Sequence, residues 1–413
     1  MRGNAIVLGA GVIGLTTAWA LVESGWRVQI VDGRGVGRGA SLQNGGQLSY
    51  QYVAPLADAG VPLKALRWML QRDGPLRWRP QLDIAQWSWI SQFLSLCNTR
   101  TNQETSKQLA LLAEHSRQIL HQWMRDNEFA DFSWEQPGKL VIFRESASWK
   151  KAISRCNSTQ SLWGPEECIS REPALKSCAS SIKGGIFTSD EAVADCFAFC
   201  NSLLVKLESH PRFEGVEIDT IQQITRSSRS LALRGNHAQY GGDAVVLAAG
   251  IHSRVLAEQL GVVLPIYPLK GYSLDVPFGN LHYPPKSSIT DFDQKILYAR
   301  VNKRLRVAAM VDLVGASEQI DRGRLNSLMR AAKRDLPFAG DYEKATPWAG
   351  LRPATPSGRP IVGLSRLDGL WLNVGHGALG FTLACGSADL LARMMGNQTL
   401  PDAIQGNFFS NSF

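Results

Sequence analysis

The sequence predicts an α/β fold in which a second, α+β domain is inserted after a first strand–helix–strand unit. Apolar residues at 5–8 and 28–31 predict two strands, and the uncharged run 15–22 between them predicts a helix. Further along, a helical pattern at 106–128 gives way to an apolar strand at 139–143. This change of pattern, far from the opening unit, indicates a separate domain.

Glycines connect the first strand to the first helix in the pattern Gly-x-Gly-x-x-Gly. Gly9 permits a tight turn, Gly11 lets the backbone approach a pyrophosphate, and Gly14 lets the helix pack closely on the strand. The helix N-terminus favours phosphate charge. Asp32 stands 23 residues after Gly9, where a carboxylate can accept ribose hydroxyls. The unit therefore predicts a Rossmann-like dinucleotide site, with candidate contacts Gly9, Ala10, Gly11, Val12, Ile13, Gly14 and Asp32.

Other interpretations of the opening run explain less of the sequence. Arg2, the uncharged residues 5–22 and the small residues around Trp19 resemble an export signal. A membrane span needs about 20 apolar residues, and this run is interrupted by glycines and threonines. Neither alternative explains Asp32 after a second strand, and an ordinary α/β core unit has no use for all three glycines.

Two further stretches are predicted to lie beside the dinucleotide. A glycine-rich loop follows Asp32, and its backbone amides, hydroxyls and arginines suit phosphates and ring edges, although a flexible surface loop has the same composition. A third apolar strand, 243–247, ends in small residues, as expected beside a cofactor. The additional candidates are Gly33, Arg34, Arg38, Ser41, Asn44, Gly45, Gly46, Gln47, Ile221, Ala248, Ala249 and Gly250.

Composition narrows the class of protein. The chain has 413 residues, enough for two domains, and its formal charge of +8 is spread without the Lys/Arg block of a nucleic-acid-binding arm. The seven cysteines include no Cys-x-x-Cys and no His/Cys spacing that suits a metal. We therefore expect a cytoplasmic protein with reduced cysteines, no metal and no nucleic-acid partner.

Segment 62–92 combines tryptophans and basic residues. Leu63, Leu66 and Leu70 lie near helical spacing, with Lys64, Arg67 and Arg72 between them. Two interpretations remain open. This pattern suits a helix lying in an anionic membrane interface, which would attach the protein peripherally to the inner face of the cell membrane. It also suits an amphipathic helix packed on its own domain.

The C-terminal region repeats the strand, glycine-turn, helix pattern at 370–395. We therefore assign 1–50, 190–265 and 345–413 to the nucleotide-binding domain, and 51–189 and 266–344 to the second domain. The stretches GAGVIG, VPLKALRWMLQRDGPL, YPLKGYSL, GLRPATPSGRPIVG and LWLNVGHGALGFTLACGS, spread over residues 9–387, resemble the FAD-dependent D-amino acid dehydrogenases, within the class that contains D-amino acid oxidase and glycine oxidase. Val193-Ala194 depart from this family, which more often has Thr-Gly there.

The resemblance implies a Rossmann-like FAD-binding domain of the GR2 type with an inserted α+β substrate domain of antiparallel sheet and helices. It implies oxidative deamination of D-amino acids to 2-oxo acids and ammonia, by hydride transfer from Cα to flavin N5. Electrons then pass to a quinone or another non-oxygen respiratory acceptor, and additional subunits remain an open question. A close alternative is a dehydrogenase of a cyclic D-imino acid such as D-proline or D-hydroxyproline.

The resemblance also implies roles for individual residues. Arg352 is expected to bind the substrate carboxylate. Weaker substrate-site candidates are Tyr298, Lys270 and Tyr272. Tyr50 and Tyr52 follow the cofactor loop, where each either covers the substrate or belongs to the core. The last glycine turn, at the start of a helix, is expected to face the flavin and stabilise its reduced form. The candidate flavin contacts in this turn are Gly375, His376, Gly377, Ala378, Leu379 and Gly380. Gly350, close to Arg352 in the chain, is a further candidate. An NAD-dependent dehydrogenase and a non-catalytic membrane protein are the competing classes.

Overall fold

The computed structural model describes residues 2–71, 73–226 and 231–404. Arg72 and the last part of the predicted segment 345–413 lie outside these residues. The described residues form twenty strands: β1 (Asn4–Leu8), β2 (Arg27–Asp32), β3 (Gln47–Leu48), β4 (Leu76–Trp78), β5 (Lys139–Phe143), β6 (Gln160–Trp163), β7 (Gly184–Thr188), β8 (Ala192–Val193), β9 (Phe213–Ile218), β10 (Ile221–Arg226), β11 (Leu231–Gly235), β12 (Gln239–Gly242), β13 (Ala244–Leu247), β14 (Tyr267–Pro277), β15 (Ser288–Asp291), β16 (Ile296–Val301), β17 (Arg304–Leu313), β18 (Thr346–Ala354), β19 (Ile361–Leu364) and β20 (Leu370–Val374).

The same residues form ten α-helices. In chain order they are α1 (Val12–Glu23), α2 (Val61–Leu70), α3 (Ile84–Leu96), α4 (Thr99–Asp126), α5 (Ser146–Ile153), α6 (Pro165–Arg171), α7 (Cys196–Glu208), α8 (His252–Glu258), α9 (Arg322–Asp335) and α10 (Gly380–Met395). No helix of the described part of the chain is long and apolar enough to cross a bilayer.

A six-stranded sheet carries the opening unit, in the order β19-β20-β13-β1-β2-β9. Its neighbours are parallel except for β19, which runs antiparallel to β20. The strands β1, β2 and β13 are almost fully buried, as expected for a parallel sheet covered on both faces. The predicted Rossmann-like sheet is confirmed, and β20 joins it two strands away from β1.

A second sheet has nine strands, in the order β18-β14-β17-β16-β15-β5-β7-β6, with β4 paired to β17. Most neighbours are antiparallel, as predicted, but β5 runs parallel to β15 and β4 parallel to β17. One face of this sheet packs on α9 around a core that includes Leu274, Val307 and Leu328. The other face turns toward the loop that follows the nucleotide-binding unit, as described below.

Two elements pack differently from our predicted domain segments. Helix α4, within 51–189, contributes Leu109, Leu112 and Leu120 to the core that also contains α1 and α10. Strand β18, within 345–413, pairs with β14 in the large sheet. The partners of the apolar face of α4 and of the β18 backbone decide these memberships, and local sequence does not reveal either partner. The domain boundaries themselves stay a prediction.

Candidate active site

Two helix N-termini lie at the same edge of the six-stranded sheet. Strands β1 and β20 both run parallel to β13, which lies between them. Neighbouring strands are about 4.8 Å apart, so the ends of β1 and β20 are roughly 10 Å from each other. Helix α1 begins just after β1, and α10 begins shortly after β20. The first and last glycine turns therefore meet at one site, as predicted.

The first glycine turn has the geometry that a pyrophosphate site needs. Gly9 has a φ of +114°, and a Cβ there would lie 2.5 Å from the Ala248 carbonyl oxygen. A Cβ on Gly14 would lie 1.8 Å from the Gly9 oxygen, so only glycine allows α1 this close to the turn. A Cβ on Gly11 would meet only the Ser41 hydroxyl, at 3.4 Å. The space before the helix is therefore open, and α1 has no acidic residue in its first turn.

Asp32 connects the glycine turn to the loop that follows β2. Its carboxylate accepts hydrogen bonds from the backbone N–H of Ala10 at 2.8 Å, Arg34 at 2.7 Å and Gly35 at 2.9 Å. Ser41 accepts from the Val12 N–H at 3.0 Å. Both side chains thus shape the turn, and the ribose role of Asp32 stays a prediction.

The two arginines of this loop contact other side chains of the protein. Arg34 makes an ion pair with Glu318, with two hydrogen bonds of 2.9 Å, and both side chains are partly open to solvent. The guanidinium carbon of Arg38 lies 5.4 Å from the centre of the Phe197 ring, and this side chain is exposed. Both side chains contact other residues of the protein here, and the phosphate contacts of Arg34 and Arg38 stay predictions.

Residues 43–47 join the nucleotide-binding unit to the open face of the large sheet. Ser273 donates to the Gln43 carbonyl at 3.0 Å, Arg306 donates to the Asn44 carbonyl, and Gln47 donates to Ser288. A Cβ on Gly45 would lie 3.0 Å from Leu297, and Gly46 has a φ of +67°. Sequence reasoning missed Arg306, whose buried ion pair with Asp275 fixes the guanidinium for this contact. In the sequence, Arg306 could have been noticed only as a charged residue within a strand of alternating apolar residues.

The remaining predicted cofactor contacts near the first glycine turn come from the end of β13 and the start of β10. The end of β13 reaches Gly9 through Ala248, whose N–H donates to Leu8 at 2.9 Å. Ala249 and Gly250 follow it in the chain. Ile221 begins β10 and packs on the core beneath the small three-stranded sheet. The residue before it, Thr220, lies against Gly33. These cofactor roles stay predictions.

The last glycine turn is held by backbone geometry and by one histidine. Gly375 and Gly377 have φ values of +82° and +56°, and a short 3-10 helix, Gly377–Leu379, leads into α10. His376 is 2% exposed, and its Nε2 lies 3.1 Å from the Ser387 hydroxyl. Burial lowers the pKa of His376 to about 3, so the imidazole is neutral. This side chain holds the turn on α10.

Arg352 projects from β18 onto the open face of the large sheet. Its Nη1 donates to the Met310 carbonyl at 2.9 Å, and its guanidinium covers Gly271, where a Cβ would lie 2.4 Å from Cζ. Burial lowers its pKa, and Asp312 partly opposes this effect. No carboxylate of the described residues lies within ion-pair distance of Arg352. The guanidinium is therefore positioned but electrostatically unpaired.

Trp348 lies on the same strand as Arg352 and was not among our predicted residues. It stands four positions before Arg352 on β18, so both side chains leave the same face of the strand. A Cβ on Gly350 would lie 1.9 Å from the Trp348 ring, so glycine at 350 leaves room for this ring over the strand. The Trp348 side chain is partly exposed. The sequence feature that could have identified this residue is its place just before the Gly-Leu-Arg-Pro motif.

Three predicted substrate-site residues lie on the opposite face of the large sheet. The Tyr298 hydroxyl donates to Asp335 at 3.2 Å, the Tyr272 hydroxyl donates to Asp312 at 3.2 Å, and Lys270 donates to the Gln319 carbonyl. Tyr272 and Tyr298 belong to the core beneath α9. Since side chains alternate across a strand, these three cannot share the face of Arg352. Their assignment to the substrate site is wrong.

The two tyrosines after the cofactor loop differ from each other. Tyr50 is 4% exposed within the core of the nucleotide-binding domain, its hydroxyl has no partner among the described residues, and burial raises its pKa. It fills a core position, so the predicted role over the substrate is wrong. Tyr52 is 37% exposed, and its ring lies 4.3 Å from Lys139 Nζ. Tyr52 stays a candidate.

The arrangement suits FAD. The space before α1 has the geometry for a pyrophosphate, and the second helix N-terminus, also without an acidic residue in its first turn, would offer backbone dipoles to a ring system. Within residues 2–71, 73–226 and 231–404, no group of three His, Cys, Asp or Glu residues is suited to hold a metal ion. All seven cysteines have free thiols.

Comparisons with known proteins agree with this fit. The family model of the FAD-dependent oxidoreductases matches residues 4–394. The chain is similar to D-amino acid dehydrogenase 2 of Pseudomonas aeruginosa, with 46% identity over 96% of both chains. It is also similar to D-amino acid dehydrogenase 2 of Ralstonia nicotianae, with 41% identity over 94% of this chain and 95% of the other.

Solved structures share the fold at low identity. Glycine oxidase of Geobacillus kaustophilus superposes with a TM-score of 0.72 at 18% identity, over 96% of this chain and 95% of the other. Iminodiacetate oxidase of Chelativorans sp. BNC1 gives 0.72 at 19% identity, over 96% and 97%. The chain therefore belongs to the family of FAD-dependent oxidoreductases, and it is an enzyme that uses FAD.

Proposed function

We propose that this enzyme oxidises D-amino acids to 2-oxo acids and ammonia. The observation that carries the proposal is Arg352, a guanidinium fixed by the Met310 carbonyl without any carboxylate partner among the described residues. A planar guanidinium is the side chain best suited to bind an α-carboxylate through two parallel hydrogen bonds. The relatives named D-amino acid dehydrogenase, at 33–46% identity, support the D-amino acid as substrate.

The residues of this chain would mainly position the substrate. Arg352 would hold the carboxylate, and the partly exposed Trp348 ring beside it would form an apolar wall. Tyr52, which follows the cofactor loop in the chain, would border the site. FAD, when bound, would supply the acceptor for the hydride of the substrate Cα–H bond, and the imine would then take up water to give the 2-oxo acid and ammonia. Such chemistry depends on orientation more than on acid–base groups.

A substrate panel tests this proposal. The purified FAD enzyme is assayed with D- and L-enantiomers of several amino acids and with D-proline and D-hydroxyproline, using an artificial dye as acceptor. We expect turnover of D-enantiomers with release of ammonia. Turnover of D-proline alone would favour the cyclic imino acid alternative, and turnover of L-enantiomers alone, or of none, would reject the proposal.

We further propose a non-oxygen electron acceptor, a quinone, reached from a membrane surface. Helix α2 supports this, because none of its residues is buried and Leu63, Leu66 and Leu70 are 78%, 59% and 89% exposed on one side. Lys64 and Arg67 flank these leucines and are exposed as well. An unburied apolar stripe with basic neighbours suits an anionic lipid interface better than packing on the protein's own domain.

Vesicle sedimentation tests the membrane proposal. We expect the enzyme to pellet with vesicles that contain anionic lipid and less with neutral ones. A Leu63→Ser/Leu66→Ser variant should lose at least about half of the bound fraction, because each exposed leucine contributes roughly 1.5–3 kcal/mol when it is fully buried. Val205→Ser, which changes a 59% exposed residue on α7, is the matched control. Equal pelleting of all three proteins would reject α2 as the contact.

Assays of D-amino acid turnover under air and under nitrogen test whether oxygen is the electron acceptor. Equal rates with an artificial dye in both atmospheres are expected for a non-oxygen acceptor.

A further inference from the structure

Lys139 is a buried lysine at the start of β5. It is 3% exposed, although lysine is almost never fully buried without a charged partner. Its ammonium donates to the Ser49 hydroxyl at 2.8 Å. An ammonium has three donors, so this single hydrogen bond leaves most of its capacity unused.

The nearby carboxylate does not neutralise Lys139. Glu191 raises the pKa of the lysine, but burial outweighs it and lowers that pKa to about 8. The Glu191 oxygens accept hydrogen bonds from the Tyr50 and Gln51 N–H groups at 3.0 and 2.8 Å. No ion pair within 4.0 Å joins Glu191 to Lys139 in the described structure. A buried cation without a close counter-ion is costly unless a ligand supplies acceptors.

The position of Lys139 connects it to the start of α10. Ser49, which accepts its hydrogen bond, donates its own N–H to the Thr382 hydroxyl at 3.1 Å. Thr382 lies in the first turn of α10, directly after the last glycine turn. The ammonium also lies 4.3 Å from the ring of Tyr52, which is accessible from solvent. The cation therefore lies beside the same helix N-terminus that is available to the cofactor.

We propose that Lys139 is the buried cation of the flavin site and that it stabilises the negative charge carried by reduced FAD. Positive charge near the ring adds to the dipole of α10, since both favour an anion at this position. Through Ser49 the same ammonium holds residues 47–52 against α10. This inference rests only on the use of FAD, so it stands or falls independently of the amino acid substrate.

Sulfite binding to the FAD-loaded enzyme tests the charge. Sulfite adds to flavin and leaves a negative charge on the ring, and the loss of absorbance near 450 nm reports its dissociation constant. We expect Lys139→Met to raise this constant at least about tenfold. That factor corresponds to about 30 mV in the two-electron midpoint potential, which should become more negative. Lys139→Arg, which keeps the charge, should stay within about threefold.

Two further variants separate charge from structure. Lys303→Met removes an exposed lysine from the turn between β16 and β17 and should leave sulfite binding unchanged. Ser49→Ala removes the hydrogen bond but keeps the ammonium, and should change the sulfite constant by less than about threefold. If Ser49→Ala weakened sulfite as much as Lys139→Met, the lysine would act only by holding the loop, and the proposal would be overturned.

The remaining outcomes are also decisive. Unchanged sulfite binding and potential in Lys139→Met would overturn the proposal. If sulfite binding and potential were unchanged but KM rose only for substrates with acidic side chains, the lysine would belong to the substrate site instead. If Lys139→Met and Lys139→Gln purified without FAD, retention of FAD by Lys139→Arg would support the need for the charge. Loss of FAD from Lys139→Arg as well would indicate a packing role and refute it.

Discussion

Replacing Arg352 by methionine separates substrate binding from folding. A guanidinium that holds a carboxylate makes two charge-assisted hydrogen bonds, each contributing about 1.5–3 kcal/mol. Their loss, roughly 3–6 kcal/mol, corresponds to a fall in kcat/KM of about 10²–10⁴. The Arg352→Lys variant keeps the charge without the planar fork, so we expect an intermediate value.

The same substitution by methionine should affect stability little. It removes the hydrogen bond to the Met310 carbonyl, which contributes about 1 kcal/mol. It also removes a desolvated charge, which burial disfavours, as the lowered pKa of Arg352 shows. These effects offset each other, so the free energy of unfolding should change by less than about 1 kcal/mol.

Steady-state kinetics with the best D-amino acid, together with thermal unfolding of the FAD-loaded enzyme, measure both quantities. Arg300→Met is a matched control, because Arg300 lies in the same sheet but already has a carboxylate partner, Glu135. Its kcat/KM should stay within about threefold. An Arg352→Met enzyme with unchanged kcat/KM for every D-amino acid would refute the anchor role. A large loss of stability would show that the arginine is structural.

Three other substitutions test the geometry. Gly14→Ala should lower the FAD content and destabilise the protein by about 3 kcal/mol, because its Cβ would lie 1.8 Å from the Gly9 oxygen; absorbance and thermal unfolding measure both. Tyr298→Phe should leave kcat/KM within about threefold and lower stability by about 1 kcal/mol, because it removes only the hydrogen bond to Asp335. His376→Asn should make the free energy of unfolding less sensitive to acid. The pKa of His376 is about 3 in the folded protein, below its unfolded value of about 6.5, so the unfolded state binds the proton first. This histidine therefore lowers the free energy of unfolding as the pH falls below about 6.5, by roughly 2 kcal/mol at pH 5.

Each of these has a contrary outcome. A Gly14→Ala enzyme with full FAD content would mean that α1 can move away from the turn. Strongly reduced activity of Tyr298→Phe would return that tyrosine to the substrate site. Equal loss of unfolding free energy between pH 7 and pH 5 in His376→Asn and the unsubstituted enzyme would show that the histidine is not buried in neutral form.

Local sequence predicted the parts of the site that depend on backbone conformation. The glycine at position 9 has a positive φ, and the one at position 14 allows close packing, as the motif required. Both glycine turns were located together with the helices that follow them. Arg352 was recognised through its motif, and the structure adds that it lacks a carboxylate partner among the described residues.

Side-chain neighbours of distant segments could not be predicted in this way. The direction of Tyr298 and Tyr272 depends on strand register, and a shift of one residue exchanges the two faces of a sheet. Arg34 is held by Glu318, which follows it by 284 positions. The burial of Lys139 depends on Ser49 and Thr382, which come from two other parts of the chain.

The sequence by itself therefore determined the strand–turn–helix units and a dinucleotide site, because glycine conformations and apolar periodicity act over a few residues. FAD and the motif arginine followed from the resemblance to a known family. Only the tertiary structure decided which polar groups share a face, which charges are neutralised and that Lys139 is a buried cation. These properties depend on pairing between segments far apart in the chain, where burial and the distance to a counter-charge determine what each group can do.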